Sequence, residues 1–195
     1  ITTAVVLFLL ERVMALTKKQ IKEFKEAEEA AEDSYDFRGI ADDIAEAGDK
    51  EWAKKVYKKA EEKAEDCSDY SSLAASIHEE IGDKEWAKKV YKKAEGKAED
   101  SSDFRDLAQS IFEKLDDKEG AKKVYKKSEE KADDCYDFIA LAASIHKELG
   151  DKEWAKKVYK KAEEKAEDSD EYEDLAESIR DTLGDKKWTA KDFRP

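Results

Sequence analysis

The chain has 195 residues, of which 46% are charged and 39% hydrophobic, and a formal net charge of −13. It is too apolar for a disordered chain and too acidic for a sequence-independent nucleic-acid binder, which needs a basic footprint. Two cysteines and two histidines without CxxC or HxxxH spacing argue against a metal site or a disulfide scaffold. No run reaches the roughly 18–20 apolar residues of a membrane span.

In chain order, residues 1–16 come first and differ in composition from the rest. Val6, Leu9, Leu10 and Val13 fall at i, i+3, i+4 and i+7, so a helix is predicted here, paired with the next one. Val5, Leu7 and Phe8 are left on its other faces, and self-association into a homo-oligomer is the alternative role expected of them. Met14 reads as a start, which makes 1–13 an upstream or leader sequence. With no basic n-region, a clipped signal peptide is the weaker reading, and a cytoplasmic location is expected. A helix over 18–33 follows, opened by Thr17 and Gln20 as a capping box.

From here the chain repeats. The run Gly48-Asp-Lys-Glu-Trp-Ala-Lys-Lys-Val-Tyr-Lys-Lys-Ala returns at Gly82, loosely at Asp116, again at Gly150 and degenerately at Gly184, each 34 residues after the last. A fixed period of this size indicates stacked helical units that cannot bury their apolar faces alone. Four units are read, 34–67, 68–101, 102–135 and 136–169. A final helix over 171–183 and a truncated partner over 186–193, carrying Trp188, complete a repeat domain over 17–195.

Each unit holds two helical patterns. In the first, Tyr70, Leu73, Ala74, Ile77 and Ile81 share one face, with Ser68 or Asp69 as the expected cap and Gly82 as the left-handed stop. In the second, Asp83 caps an arc of Trp86, Ala87, Val90, Tyr91, Ala94 and Ala98, backed by lysines and glutamates. A turn as short as Gly-Asp predicts an antiparallel helical hairpin.

These residues carry a resemblance. Gly48-Asp49, Ala53, Tyr57 and Ala60 match the second half of the tetratricopeptide motif, and Phe37, Ile40, Ala41 and Ile44 match its first half in spacing though not in identity. Later units keep that spacing, as in Phe104/Leu107/Ala108/Ile111, but sit one residue further from the turn. The motif's closing proline is replaced by acids such as Glu65 and Asp66. The chain thus resembles a divergent tetratricopeptide array over about residues 17–193. The resemblance implies an all-α, right-handed α-solenoid of antiparallel helical hairpins, with a concave groove that holds a peptide or protein partner. The lysine and asparagine set with which the family clamps chaperone tails is not found, so that ligand is not expected.

Comparison among the repeats points to where a partner would sit. The second helix is nearly copied from unit to unit, whereas the first keeps its packing residues and varies between them. The variable sets are Tyr35/Ser68/Ser102/Tyr136/Asp170, Arg38/Ser71/Arg105/Ile139/Glu173, Asp42/Ala75/Gln109/Ala143/Glu177 and Ala45/His78/Phe112/His146/Arg180, with Glu46/Glu79/Glu113/Lys147/Asp181 varying less. By the resemblance these offsets line the groove. Free drift of exposed residues would also vary them, but the exposed face of the second helix has not drifted. A partner-binding groove is therefore expected from Tyr35, Arg38, Asp42, Ser71, His78, Glu79, Arg105, Gln109, Phe112, Tyr136, Ile139, His146, Lys147, Glu173, Glu177 and Arg180. Its centre would combine His78, Arg105, Phe112, Tyr136, Ile139 and His146, since aromatic and arginine side chains are the usual anchors of an interface.

No nucleophile, base and orienting group occur together, so no enzyme, cofactor or metal is expected. His78 and His146 stand two units apart, too far for one ion. Cys67 and Cys135 share a register with Ser34, Ser101 and Ser169 and read as small turn residues. The lysine rows read as a solvated face paired with glutamates, as Glu51 with Lys55. Two positions read as weak: Gly96 in mid-helix, and Gly120, which stands where Trp52, Trp86 and Trp154 recur.

Overall fold

The computed structural model describes residues 16–184. The N-terminal segment with Val5, Leu7 and Phe8, and the region 186–193, lie outside them. The described residues form ten helices and no strand: α1 (Lys18–Ala30), α2 (Ser34–Glu46), α3 (Lys50–Lys63), α4 (Cys67–Ser76), α5 (Lys84–Lys97), α6 (Ser101–Leu115), α7 (Lys118–Lys131), α8 (Cys135–Ser144), α9 (Lys152–Lys165) and α10 (Ser169–Leu183). Helices α4 and α8 run on into π-helical turns at Ile77–Ile81 and Ile145–Leu149. None of these helices is long and apolar enough to cross a membrane.

Paired acids decide where the first helix of each unit begins. The side chains of Asp33, Asp66, Asp100, Asp134 and Asp168 accept the first free backbone N–H groups of α2, α4, α6, α8 and α10. An acid three residues on reaches back to the residue before the cap, as when Glu65 N–H donates to Asp69 at 3.0 Å. The cap of α4 is therefore Asp66, two residues before the expected Ser68, while Asp69 closes the box from inside. The same rule corrects two boundaries. Helix α1 stops at Ala30 because Asp33 is needed to cap α2, and α10 begins at Ser169, not 171, because Asp168 caps it. Nor are Cys67 and Cys135 turn residues. With Ser34 and Ser101 they form the buried first helical position, and Ser101 accepts there from the Ser128 hydroxyl at 2.8 Å. Burial pushes the Cys135 thiol up to about 11, further from reactivity.

The extra residue in the later units is absorbed at the helix end. Helix α2 closes with Asp49 N–H on the Ile44 carbonyl and Gly48 N–H on Ala45, a Schellman pair around Gly48 at φ 100°. In the later units a single bond closes the helix, from the N–H of Gly82, Asp116, Gly150 or Gly184 to the carbonyl of His78, Phe112, His146 or Arg180, each at 3.0 Å. Asp116 takes the left-handed conformation at φ 51°, which Asp tolerates better than most side chains.

Second helices start alike: Asp49, Asp83, Asp117 and Asp151 accept from the N–H of Trp52, Trp86, Gly120 and Trp154. A Cβ at Gly120 would stand 2.9 Å from the Asp117 carboxyl carbon, yet the three tryptophans share that arrangement with their own capping acids. A small rotation of Asp117 thus makes room. Gly120→Trp is expected to raise stability by about 1 kcal/mol through helix propensity, or a few degrees in Tm. A calorimetric scan checks this; an unchanged or lower Tm would show that the helix start is built around glycine.

The described residues divide into two compact halves, 16–97 and 98–184. In the first, α2 packs on α3 and α4 on α5, and α4 with its π turn meets α2 and α3. In the second, α6 packs on α7 and α8 on α9, α8 and its turn meet α6 and α7, and α10 packs on α8 and α9. Ile44, Val56, Tyr57, Leu73 and Ile77 are fully buried in the first half, as are Leu141, Ile145, Tyr159, Leu175 and Ile179 in the second. Their spacing is the one read from the sequence, although Tyr70, Ile81 and Trp86 are only half-buried.

Consecutive second helices are also latched together. The indole N–H of Trp52, Trp86 and Trp154 donates to Glu28, Glu61 and Glu129 at 3.0, 3.0 and 2.8 Å. The same glutamates pair with Lys59, Lys93 and Lys161, whose ammonium groups lie over the rings of Phe37, Tyr70 and Phe138. The lysine face is thus not purely solvated, since one lysine per latch ties two helices. Glu51 pairs with Lys54 at 2.7 Å in place of the expected Lys55.

Candidate functional site

The variable positions of the first helices remain accessible. All sixteen expected groove residues are half-buried or exposed, whereas Ala45, in the same register as His78, is buried. The large hydrophobic side chains exposed among the described residues are Tyr35, at 70%, and Tyr136, at 48%. Both occupy the second position of a first helix. Two side chains from the expected set thus break the burial rule that the other large apolar residues among those described obey.

In the first half, Tyr35, Arg38 and Asp42 come together with two residues the sequence reading missed. Asp42 accepts from the Tyr57 hydroxyl at 2.5 Å, from Ser76 at 3.3 Å and from Arg38 at 3.3 Å, and the Arg38 guanidinium lies 5.1 Å over the Tyr35 ring. Tyr57 comes from α3 and Ser76 from α4, so one carboxylate joins three helices. Burial, and then the bond to Asp42, pushes the Tyr57 hydroxyl pKa far up, which keeps it a donor. Nearby Glu80 is also raised, by burial first and then by Asp42 and Glu46. Ser71 is half-buried and Glu79 exposed. His78, half-buried, begins the π turn's second position with a buried, unpartnered Nδ1.

In the second half, Arg105 donates to Asp106 at 3.1 and 3.0 Å, and Gln109 to Glu113 at 2.9 Å. Lys147, which follows His146 in the π turn of α8, pairs with Glu148 at 2.9 Å, and that bond with Glu113 nearby raises its pKa. The structure thereby brings α6 and the end of α8 into one charged neighbourhood. Phe112 and Ile139 are half-buried. Tyr136 of α8 reaches Asp174 of α10, and burial followed by that carboxylate raises its hydroxyl pKa. Glu173, Glu177 and Arg180 are exposed on α10. His78 belongs to the first half and the other five residues expected at the groove centre to the second.

Of the two missed residues, Tyr57 carries a signal. The second helix carries tyrosine, not phenylalanine, at 57, 91, 125 and 159. A buried tyrosine needs a partner for its hydroxyl, and that need points from the copied helix to the variable one. Tyr159 meets it with Ser178 at 2.9 Å. Tyr125, fully buried, has no hydrogen-bond partner.

Two clefts of about 400 and 420 Å³ lie elsewhere, beside Trp86 with Lys55 and Lys58 and beside Trp52 with Lys25 and Glu28. A group of three acids, Asp133, Asp134 and Asp137, is the capping box of α8, which accounts for its geometry. No family model, curated protein or solved structure matches the chain.

Proposed function

We propose that the chain is a non-enzymatic scaffold that binds peptide or protein segments along the variable faces of its first helices. In this reading the paired helices of each half are antiparallel hairpins of the tetratricopeptide kind, winding right-handed. The observation that carries it is the accessibility of the variable positions, headed by the exposed Tyr35 and Tyr136, beside second helices that are nearly copied. Aromatic rings held open on rigid helices present large contact area with little conformational entropy to lose on binding. Arg105 and Phe112, half-buried on α6, add charged and apolar side chains of the kinds that interfaces use as anchors.

A peptide-library selection tests this reading. Peptides captured by the parent chain are expected to lose at least about tenfold in affinity to a double variant, Arg105→Ala with Phe112→Ala, whose helical circular dichroism is unchanged. Equal recovery by parent and variant would sink the proposal, and peptides retained through the lysine-lined clefts would move the site to the second helices.

A further inference from the structure

The first half contains an internal example of what the second half is built to hold. There the Asp42 carboxylate sits in a cradle of Tyr57, Arg38 and Ser76. The repeat register carries all three cradle residues into the second half, as Tyr125, Arg105 and Ser144. It does not carry the carboxylate, because Gln109 stands where Asp42 does. Gln109 turns instead to Glu113, and Arg105 to Asp106, a carboxylate 70% exposed. The Tyr125 hydroxyl is left buried and unpartnered, a condition that native interiors rarely tolerate without a use.

We propose that Tyr125, Arg105 and Ser144 form a receptor for the carboxylate of an aspartate or glutamate side chain in a partner peptide. The inference rests on the binding reading above and deepens it. Arg105, Gln109 and Ser144 are all half-buried, so the groups in register with the first cradle are reachable from outside. Arg105 leaves only a pair whose carboxylate is mostly in solvent, of a kind that is weakly held.

Charge separates the two cradles. In the first half Arg38 is set against Asp42, Glu46, Glu79 and Glu80. At the corresponding positions of the second half, Arg105 and Lys147 balance Glu113 and Glu148. Counting Asp106, which stands where the first half has Gly39 and pairs with Arg105, the second cradle has one more cation and one fewer anion than a neighbourhood that already accommodates a carboxylate.

The test uses the full chain and two capped peptides, Ac-Gly-Ser-Asp-Ser-Gly-NH2 and its asparagine counterpart, titrated with NMR detection of the Arg105 Nε–H. The aspartate peptide is expected to bind at least about tenfold more tightly, the loss typical of a charge-assisted hydrogen bond. Gln109→Asp, which supplies the carboxylate in the chain, is expected to abolish the discrimination and raise Tm. Tyr125→Phe is expected to reduce it with the fold intact. Equal affinity for the two peptides, no binding of either at millimolar concentration, or an unchanged or lower Tm for Gln109→Asp would each overturn the receptor. If library peptides still bind while this discrimination fails, the binding reading stands and only the carboxylate receptor falls.

Discussion

Asp42→Ala is expected to lower the unfolding free energy by about 2–3 kcal/mol, read from the urea midpoint. The substitution strips partners from a fully buried tyrosine hydroxyl, a buried serine and a half-buried guanidinium at once. Most of the cost comes from the Tyr57 hydroxyl, which lies where water does not compensate it. The double variant Asp42→Ala with Tyr57→Phe should therefore recover part of the loss. Full additivity of the two substitutions would show that the hydroxyl and the carboxylate act independently.

Leu141→Ala should cost about 3 kcal/mol or more. Leu141 is fully buried in α8, as Leu73 and Leu175 are in α4 and α10, so truncation removes transfer energy and leaves a cavity. The comparison that matters is with Ile139→Ala, two residues earlier on the same helix and half-buried. That change should cost much less, because its side chain belongs to the variable face. Similar losses at both positions would mean that the variable face is also packing surface.

The helices, their order and their buried stripes were legible in the sequence because each depends on local spacing and a repeated signal. Phe104, Leu107, Ala108 and Ile111 announce their buried face by period alone. The helix starts were less legible. Ser68 is a good cap by type, but Asp66 with Asp69 satisfies two backbone donors where serine satisfies one. The π turns at Ile77–Ile81 and Ile145–Leu149 were not legible from spacing, since Ile-His-Glu-Glu-Ile and the α-helical Ile-Phe-Glu-Lys-Leu both keep apolar residues at their first and fifth positions. Of the candidate site, the variable positions could be found by comparing repeats. The residues that fix them were not reachable by that comparison: Tyr57 and Tyr125 are copied from unit to unit and are marked only by being tyrosine in place of phenylalanine, and Ser76 carries no mark at all.

The helix ends carry one more consequence. At His78, Phe112, His146 and Arg180 the carbonyl is pinned by the closing N–H at the same 3.0 Å, whatever the side chain attached. Histidine, phenylalanine and arginine thus project from helix ends closed by one common bond, the histidines from π turns and Phe112 and Arg180 from α-helix. That common closure separates shape from preference: the side chain at this position differs from unit to unit while the bond that ends the helix stays the same.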